Sequence, residues 1–317
     1  MKNKLIAVLA SFGMVASASA VKINNNLSIN GFIDGSYSMT DADTAANESQ
    51  SLGLDEVELN INANVGSISG LIALDNNGGN TINIEQAHIT HSINDALSVS
   101  FGRYGSGLGF EREDPAGLYT FSRAYNGNFN LGDVDSASVE GITLAYAAEN
   151  FSLAASVEEA AGAELETDDL NLELAFTYTG IAGVNIGGGY FFDNNDNAAT
   201  NGGSETDVLN VYVSRQFGKL LLAGEYTELS TSGHAVAANN VDLDGYLLLA
   251  DYDVSDKLGV AVRFSNNEQA GDTDYEKFTV APNYALTDSL GAIIEYSDID
   301  DGGDKSEQYA VELTYTF

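Results

Sequence analysis

The chain has 317 residues with 47 acidic against 12 basic side chains, a formal charge of −35, and neither cysteine nor tryptophan. A surplus of acid this large excludes nucleic acid as a partner, because phosphate contacts are made by Lys and Arg, and it draws cations while repelling anions. With no disulfide to hold it, and with 33 Gly, 16 Tyr and 14 Phe but only 2 Pro, the composition favours long strands joined by tight turns.

Residues 1–20 carry a basic start (Lys2, Lys4), an apolar run from Leu5 to Val15 and an Ala18-Ser19-Ala20 ending. This is the layout of a secretory signal peptide, so 1–20 is expected to be cleaved and 21–317 to form one domain. No later stretch approaches the roughly 20 apolar residues of a spanning helix.

From Val21 onward the pattern is period-two alternation. Val57, Leu59, Ile61, Ala63 and Val65 oppose Glu58, Asn60, Asn62 and Asn64, and Leu170, Leu172, Leu174, Phe176 and Tyr178 oppose Asn171, Glu173, Ala175, Thr177 and Thr179. A soluble sandwich alternates as well, so the punctuation decides. Short turns (Gly66-Ser67, Asn94-Asp95, Glu149-Asn150, 180–183, Gly218-Lys219, 255–257, 287–289) alternate with longer polar connections (40–51, 161–168, 193–205, 230–240, 268–273). Short turns at one end and long loops at the other predict a transmembrane antiparallel up-and-down β-barrel. The segments number about sixteen, or eighteen if Leu118 to Tyr125 forms a hairpin. In the last strand Tyr309, Val311, Leu313, Tyr315 and Phe317 share one face and Gln308, Ala310, Glu312, Thr314 and Thr316 the other.

Alternation stops for longest between Arg103 and Asn130. That stretch holds Arg103, Arg112 and Arg123, three of the five arginines, beside Glu111, Glu113 and Asp114. The leader, the strand count, the terminal Tyr315-Thr316-Phe317 and Phe101-Gly102-Arg103 before the longest break resemble a Gram-negative outer-membrane porin. Gly109-Phe110-Glu111 and Phe121-Ser122-Arg123-Ala124-Tyr125 are similar to what OmpL-like β-barrel porins carry there. The chain departs from general porins in lacking their Pro-Glu-Phe-Gly-Gly loop signature.

The resemblance implies a third long loop folded into the lumen as a constriction, with Glu111, Glu113 and Asp114 beside Arg112 and Arg123, and with Arg103 holding the loop to the wall. It implies a water-filled channel for passive diffusion of small hydrophilic solutes, located in the cell outer membrane among its lipid and lipopolysaccharide, and it is compatible with a homotrimer. Alternation places Glu56, Glu58, Asp75, Glu173, Glu225, Glu295 and Glu312 on the polar face, with Arg263 the one clear basic residue there. An acidic wall around water favours cations. The rival reading is a structural or adhesion barrel with a plugged lumen and partner-binding loops.

Catalysis is not expected. His88 and His91, three apart on a strand, project to opposite faces, and a nucleophilic Ser92 or Ser122 would require a His beside it in the fold. No cofactor is implied. The runs 193–197 and 298–304 are rich in oxygen ligands but lack the spaced set and closing Glu of a Ca²⁺ loop, and read as solvated loop tips.

Overall fold

The computed structural model describes residues 20–43, 48–111, 115–125, 139–160, 171–195, 204–232, 241–269, 271 and 273–317. The expected leader, apart from Ala20, lies outside them. Seventeen strands are present among these residues: β1 (Val21–Asn24), β2 (Leu27–Ala42), β3 (Ser49–Val65), β4 (Ile68–Asn76), β5 (Asn83–Ser92), β6 (Leu97–Tyr104), β7 (Val139–Ala147), β8 (Phe151–Ala160) and β9 (Asn171–Tyr178). The second half supplies β10 (Val184–Asn195), β11 (Ser204–Phe217), β12 (Leu220–Ser232), β13 (Val241–Asp253), β14 (Leu258–Gln269), β15 (Thr273–Ala285), β16 (Leu290–Asp301) and β17 (Asp304–Thr316).

Each strand from β2 to β17 pairs antiparallel with its sequence neighbours, and β17 pairs with β2, so sixteen strands close a ring. At that seam Thr316 faces Phe32 and Ser306 faces Ala42, and Gly31 and Phe317 exchange two backbone hydrogen bonds of 3.0 Å. The extra strand, β1, was not anticipated. It folds back on the start of β2, with Val21 opposite Ile29 and Lys22 opposite Ser28. The stretch 118–125 forms no hairpin; the only regular element among the described residues between β6 and β7 is a 3-10 turn at Pro115–Gly117.

The expected turns recur at one end of the ring. β3–β4 and β11–β12 are joined by two residues each, led by Gly66 and Gly218 with φ of 66° and 61°. A hairpin this tight requires positive φ, which glycine adopts without Cβ strain.

Exposure separates the two faces in the sense opposite to that of a soluble protein. On β9, Leu174 is 57% exposed and its neighbour Glu173 is 2% exposed. The outward face carries Leu, Ile, Val, Phe and Tyr, while Glu58, Asn210, Arg263, Glu295 and Glu312 are buried on the other. Because every backbone group of a closed ring is paired, such a barrel can stand in hydrocarbon. Tyr37, Phe101, Tyr190, Tyr226 and Tyr252 face outward, as the aromatic girdles of a membrane barrel do, whereas Phe32 is buried inside. Val311, mid-strand on the outer face of β17, is 45% exposed. Val311→Arg is expected to destabilise the barrel by about 2–4 kcal/mol if it lies at the bilayer midplane, read as a lower urea midpoint in lipid vesicles; an unchanged midpoint would place this face out of lipid.

Candidate functional site

Strands β6 and β7 are separated by residues 105–138, the third connection at the long-loop end. The described parts, 105–111 and 115–125, are tied to polar side chains of the inward face. The first begins at β9, where Glu173 accepts the Ser106 hydroxyl at 2.6 Å and the Gly107 N–H at 2.7 Å. It passes β11 and β12, where Asn210 Oδ1 accepts the Gly109 N–H at 3.1 Å and Glu225 the Phe110 N–H at 2.6 Å. Asn210 in turn donates to Glu225 and to Thr227, both at 2.8 Å, which holds the two acceptors at the spacing of successive backbone N–H groups.

The returning leg meets β14 to β16. Arg263 is fully buried and pairs with Glu111. It also donates to the Thr120 hydroxyl at 2.7 Å, the Ser122 hydroxyl at 3.2 Å and the Arg123 carbonyl at 2.9 Å. A planar guanidinium with five donors can join both legs in this way. Glu111 also accepts the Ala124 N–H at 2.5 Å, Ser265 donates to the Ala124 carbonyl at 2.5 Å, and Glu295 accepts both the N–H of Ser122, at 3.1 Å, and its hydroxyl. Lys277 Nζ lies 3.4 Å from the Arg123 carbonyl.

Apolar packing accompanies these bonds. Leu108, Ala124 and Tyr125 pack with Val208, Leu229 and Leu247, and Phe110 stacks on Tyr119 with ring centroids 6.4 Å apart and meets Tyr212 at 5.8 Å. Burial, with the carboxylates of Glu225 and Glu111 nearby, pushes the Tyr125 phenol well up, so its hydroxyl keeps its proton to donate toward Glu225 at 3.5 Å.

The residues singled out from sequence fall in three places. Glu111 and Arg123 join the cluster around Arg263, Glu111 by its carboxylate and Arg123 by its backbone carbonyl. Arg112, Glu113 and Asp114 lie outside the described residues. Arg103 corrects the expectation: its side chain donates to Glu140 of β7 at 2.7 Å and to the Ile84 carbonyl at 3.0 Å, and none of its bonds reaches the segment. It shares its side of β6 with the outward Phe101, so parity turns it away from Glu111. All six wall residues, Glu58, Glu173, Glu225, Arg263, Glu295 and Glu312, are buried on the inward face. Three of the acids, however, are occupied as acceptors for the segment.

Sequence reasoning missed Lys277, which is 4% exposed on the inward face; alternation with Tyr275 and Thr279 would have placed it there. It also missed Asn210, Thr120 and Ser265, which carry no signal of their own. His88 and His91 do project apart, His91 exposed and both His88 ring nitrogens buried. Among the described residues no group of His, Asp or Glu has metal-holding geometry.

A model of the Gram-negative porin family matches residues 6–316. The chain belongs to the Gram-negative porin family. No curated protein matches it in sequence, but solved barrels match in fold. An anion-selective porin from Comamonas acidovorans superposes with a TM-score of 0.69 at 14% identity, covering 92% of this chain and 99% of that one. OmpF of Salmonella typhi, in complex with daunomycin, gives 0.69 at 13% identity, covering 94% and 100%. OmpT of Vibrio cholerae, folded in vitro and in a trimer form, gives 0.66 at 13% identity, covering 92% and 100%. This porin is therefore an outer-membrane β-barrel of the channel-forming architecture.

Proposed function

We propose that this porin is a water-filled channel for the passive diffusion of small hydrophilic solutes, preferring cations, with residues 105–125 as its constriction. The observation that carries the reading is the run of hydrogen bonds from Ser106 to Ala124 onto inward side chains of β9, β11, β12 and β14–β16. A segment tied to that face narrows the opening, and the Arg263–Glu111 pair sets fixed charge beside it. Cation preference rests on the formal charge of −35 and the inward acids, since a barrel of the same fold is the anion-selective porin of Comamonas acidovorans. The reading includes removal of residues 1–20 on export, no enzymatic activity, surroundings of lipid and lipopolysaccharide, and a homotrimer, the form in which OmpT of Vibrio cholerae has been solved.

Planar bilayers separate this from the plugged adhesion barrel. Folded protein should give discrete conductance steps, and in a KCl gradient a reversal potential of cation-selective sign. Arg123→Ala should change single-channel conductance. Folded protein without steps would remove the channel, and steps indifferent to Arg123 would take the constriction away from this segment.

A further inference from the structure

Between the segment and the short-turn end of the ring lies a cavity of about 420 Å³. Its wall side exists because β14 offers only Gly259 and Ala261 to the inward face at this level, both buried. Asp251 of β13 and Asn283 of β15 close on the gap that these small residues leave. Gly259 stands opposite Asp253 on one side and Asn283 on the other, and a Cβ on it would come 2.6 Å from Asn283 Oδ1. The Asn283 amide lies within hydrogen-bonding reach of Asp251. Both residues line the cavity and are half-buried, so water reaches them.

The facing side is the segment itself. Leu118 and Tyr119 line the cavity, and Tyr119 is held by its stack on Phe110, the two rings packing on Leu249, Ala261 and Ala281. Ile293 of β16 adds an apolar surface and Thr316 of β17 a hydroxyl. A concave, largely apolar space with a few placed polar groups is the usual form of a small-molecule site.

The polar groups discriminate between solute classes. Neither Lys nor Arg is among the described residues that line the cavity, so an anion would meet Asp251 without a counter-charge. An ammonium group only donates, and would use none of the donors on Asn283 and Thr316. Neighbouring hydroxyls of a sugar ring do both: one donates to Asp251 while the next accepts from the Asn283 amide. The C–H face of such a ring suits the negative face of Tyr119.

We propose that this cavity binds a neutral cyclic polyol of monosaccharide size, held by Asp251, Asn283 and Thr316 against Tyr119. The proposal deepens the channel reading, on which it rests, by naming a solute class. Saturation-transfer NMR on folded protein in micelles of a sugar-free detergent reads the site, and planar bilayers read the channel. D-Glucose should receive saturation, chiefly on its ring C–H protons. D-Mannitol, an open chain without a flat face, should receive severalfold less, and ethylamine little. Asn283→Ala should cut the glucose signal severalfold, and Gly259→Ala, which crowds the same amide, should lower it with both polar groups still present. Should Asn283→Ala fail to fold, judged by strand circular dichroism, Thr316→Val carries the test with a smaller fall. In bilayers glucose should interrupt the wild-type current more often than that of Asn283→Ala. Conductance steps absent with transfer intact would remove the channel and leave the site. Folded wild type without glucose transfer, ethylamine receiving as much as glucose, or Asn283→Ala matching wild type would overturn the proposal.

Discussion

Arg263→Ala is expected to be the most damaging single substitution in this porin, lowering stability by about 3–5 kcal/mol, the range for breaking a buried ion pair. The side chain has no solvent exposure and joins Glu111 and Thr120 to Ser122 and Arg123. Removing it leaves the Glu111 carboxylate without its charge partner, and the two legs of the segment lose their common donor. The urea midpoint in vesicles should fall and open-channel current should become noisier as the segment moves. Arg263→Lys keeps the charge but offers a compact ammonium in place of a planar fork, so it should recover part of the midpoint while the noise persists. Wild-type midpoint and noise in the alanine variant would show that Arg263 does not hold the segment.

Gly189→Val should damage the barrel by a different route. A Cβ at Gly189 would stand 2.0 Å from the Leu174 carbonyl oxygen and 2.6 Å from Leu108 Cδ2. Backbone cannot yield that distance cheaply, so either the β9–β10 pairing opens or Leu108 leaves its place among Val208, Leu229 and Leu247. Overpacking of this kind costs about 1–3 kcal/mol and more where backbone must shift. The folded yield and the urea midpoint should both drop. Gly53→Val is the control, because nothing lies within 4 Å of a Cβ there; equal losses at both positions would assign the effect to strand glycine in general.

The barrel was legible in the sequence because its physics is local. Alternation such as Leu172-Glu173-Leu174 sets a face residue by residue, and pairs such as Gly218-Lys219 mark where the chain must reverse. The site was legible where strand parity decides, as at Arg263 and Glu295, and where a motif resemblance pointed, as at Glu111. Its anchors are contacts over long separations: Asn210 meets Gly109, and Ser265 meets Ala124, and no pattern along the chain encodes such a meeting. Arg103 misled because nearness in sequence suggested nearness in space, yet one step of strand parity sends it to Glu140 on the other face. Asp55 shows the complementary limit, since a single bulged residue resets the alternation from which inward positions are read.

The seam between β2 and β17 bears on how this porin is made. Those strands are the most distant pairing partners in the ring, and closing a loop of that length costs about 5 kcal/mol in chain entropy by the logarithmic rule. Until β17 is in place, β2 and β16 each present an edge of unpaired backbone groups that hydrocarbon does not tolerate. Insertion is thereby coupled to completion of the polypeptide: a product arrested before Asp304 is kept out of the bilayer by its own open edges, so the membrane itself discriminates finished from unfinished chains.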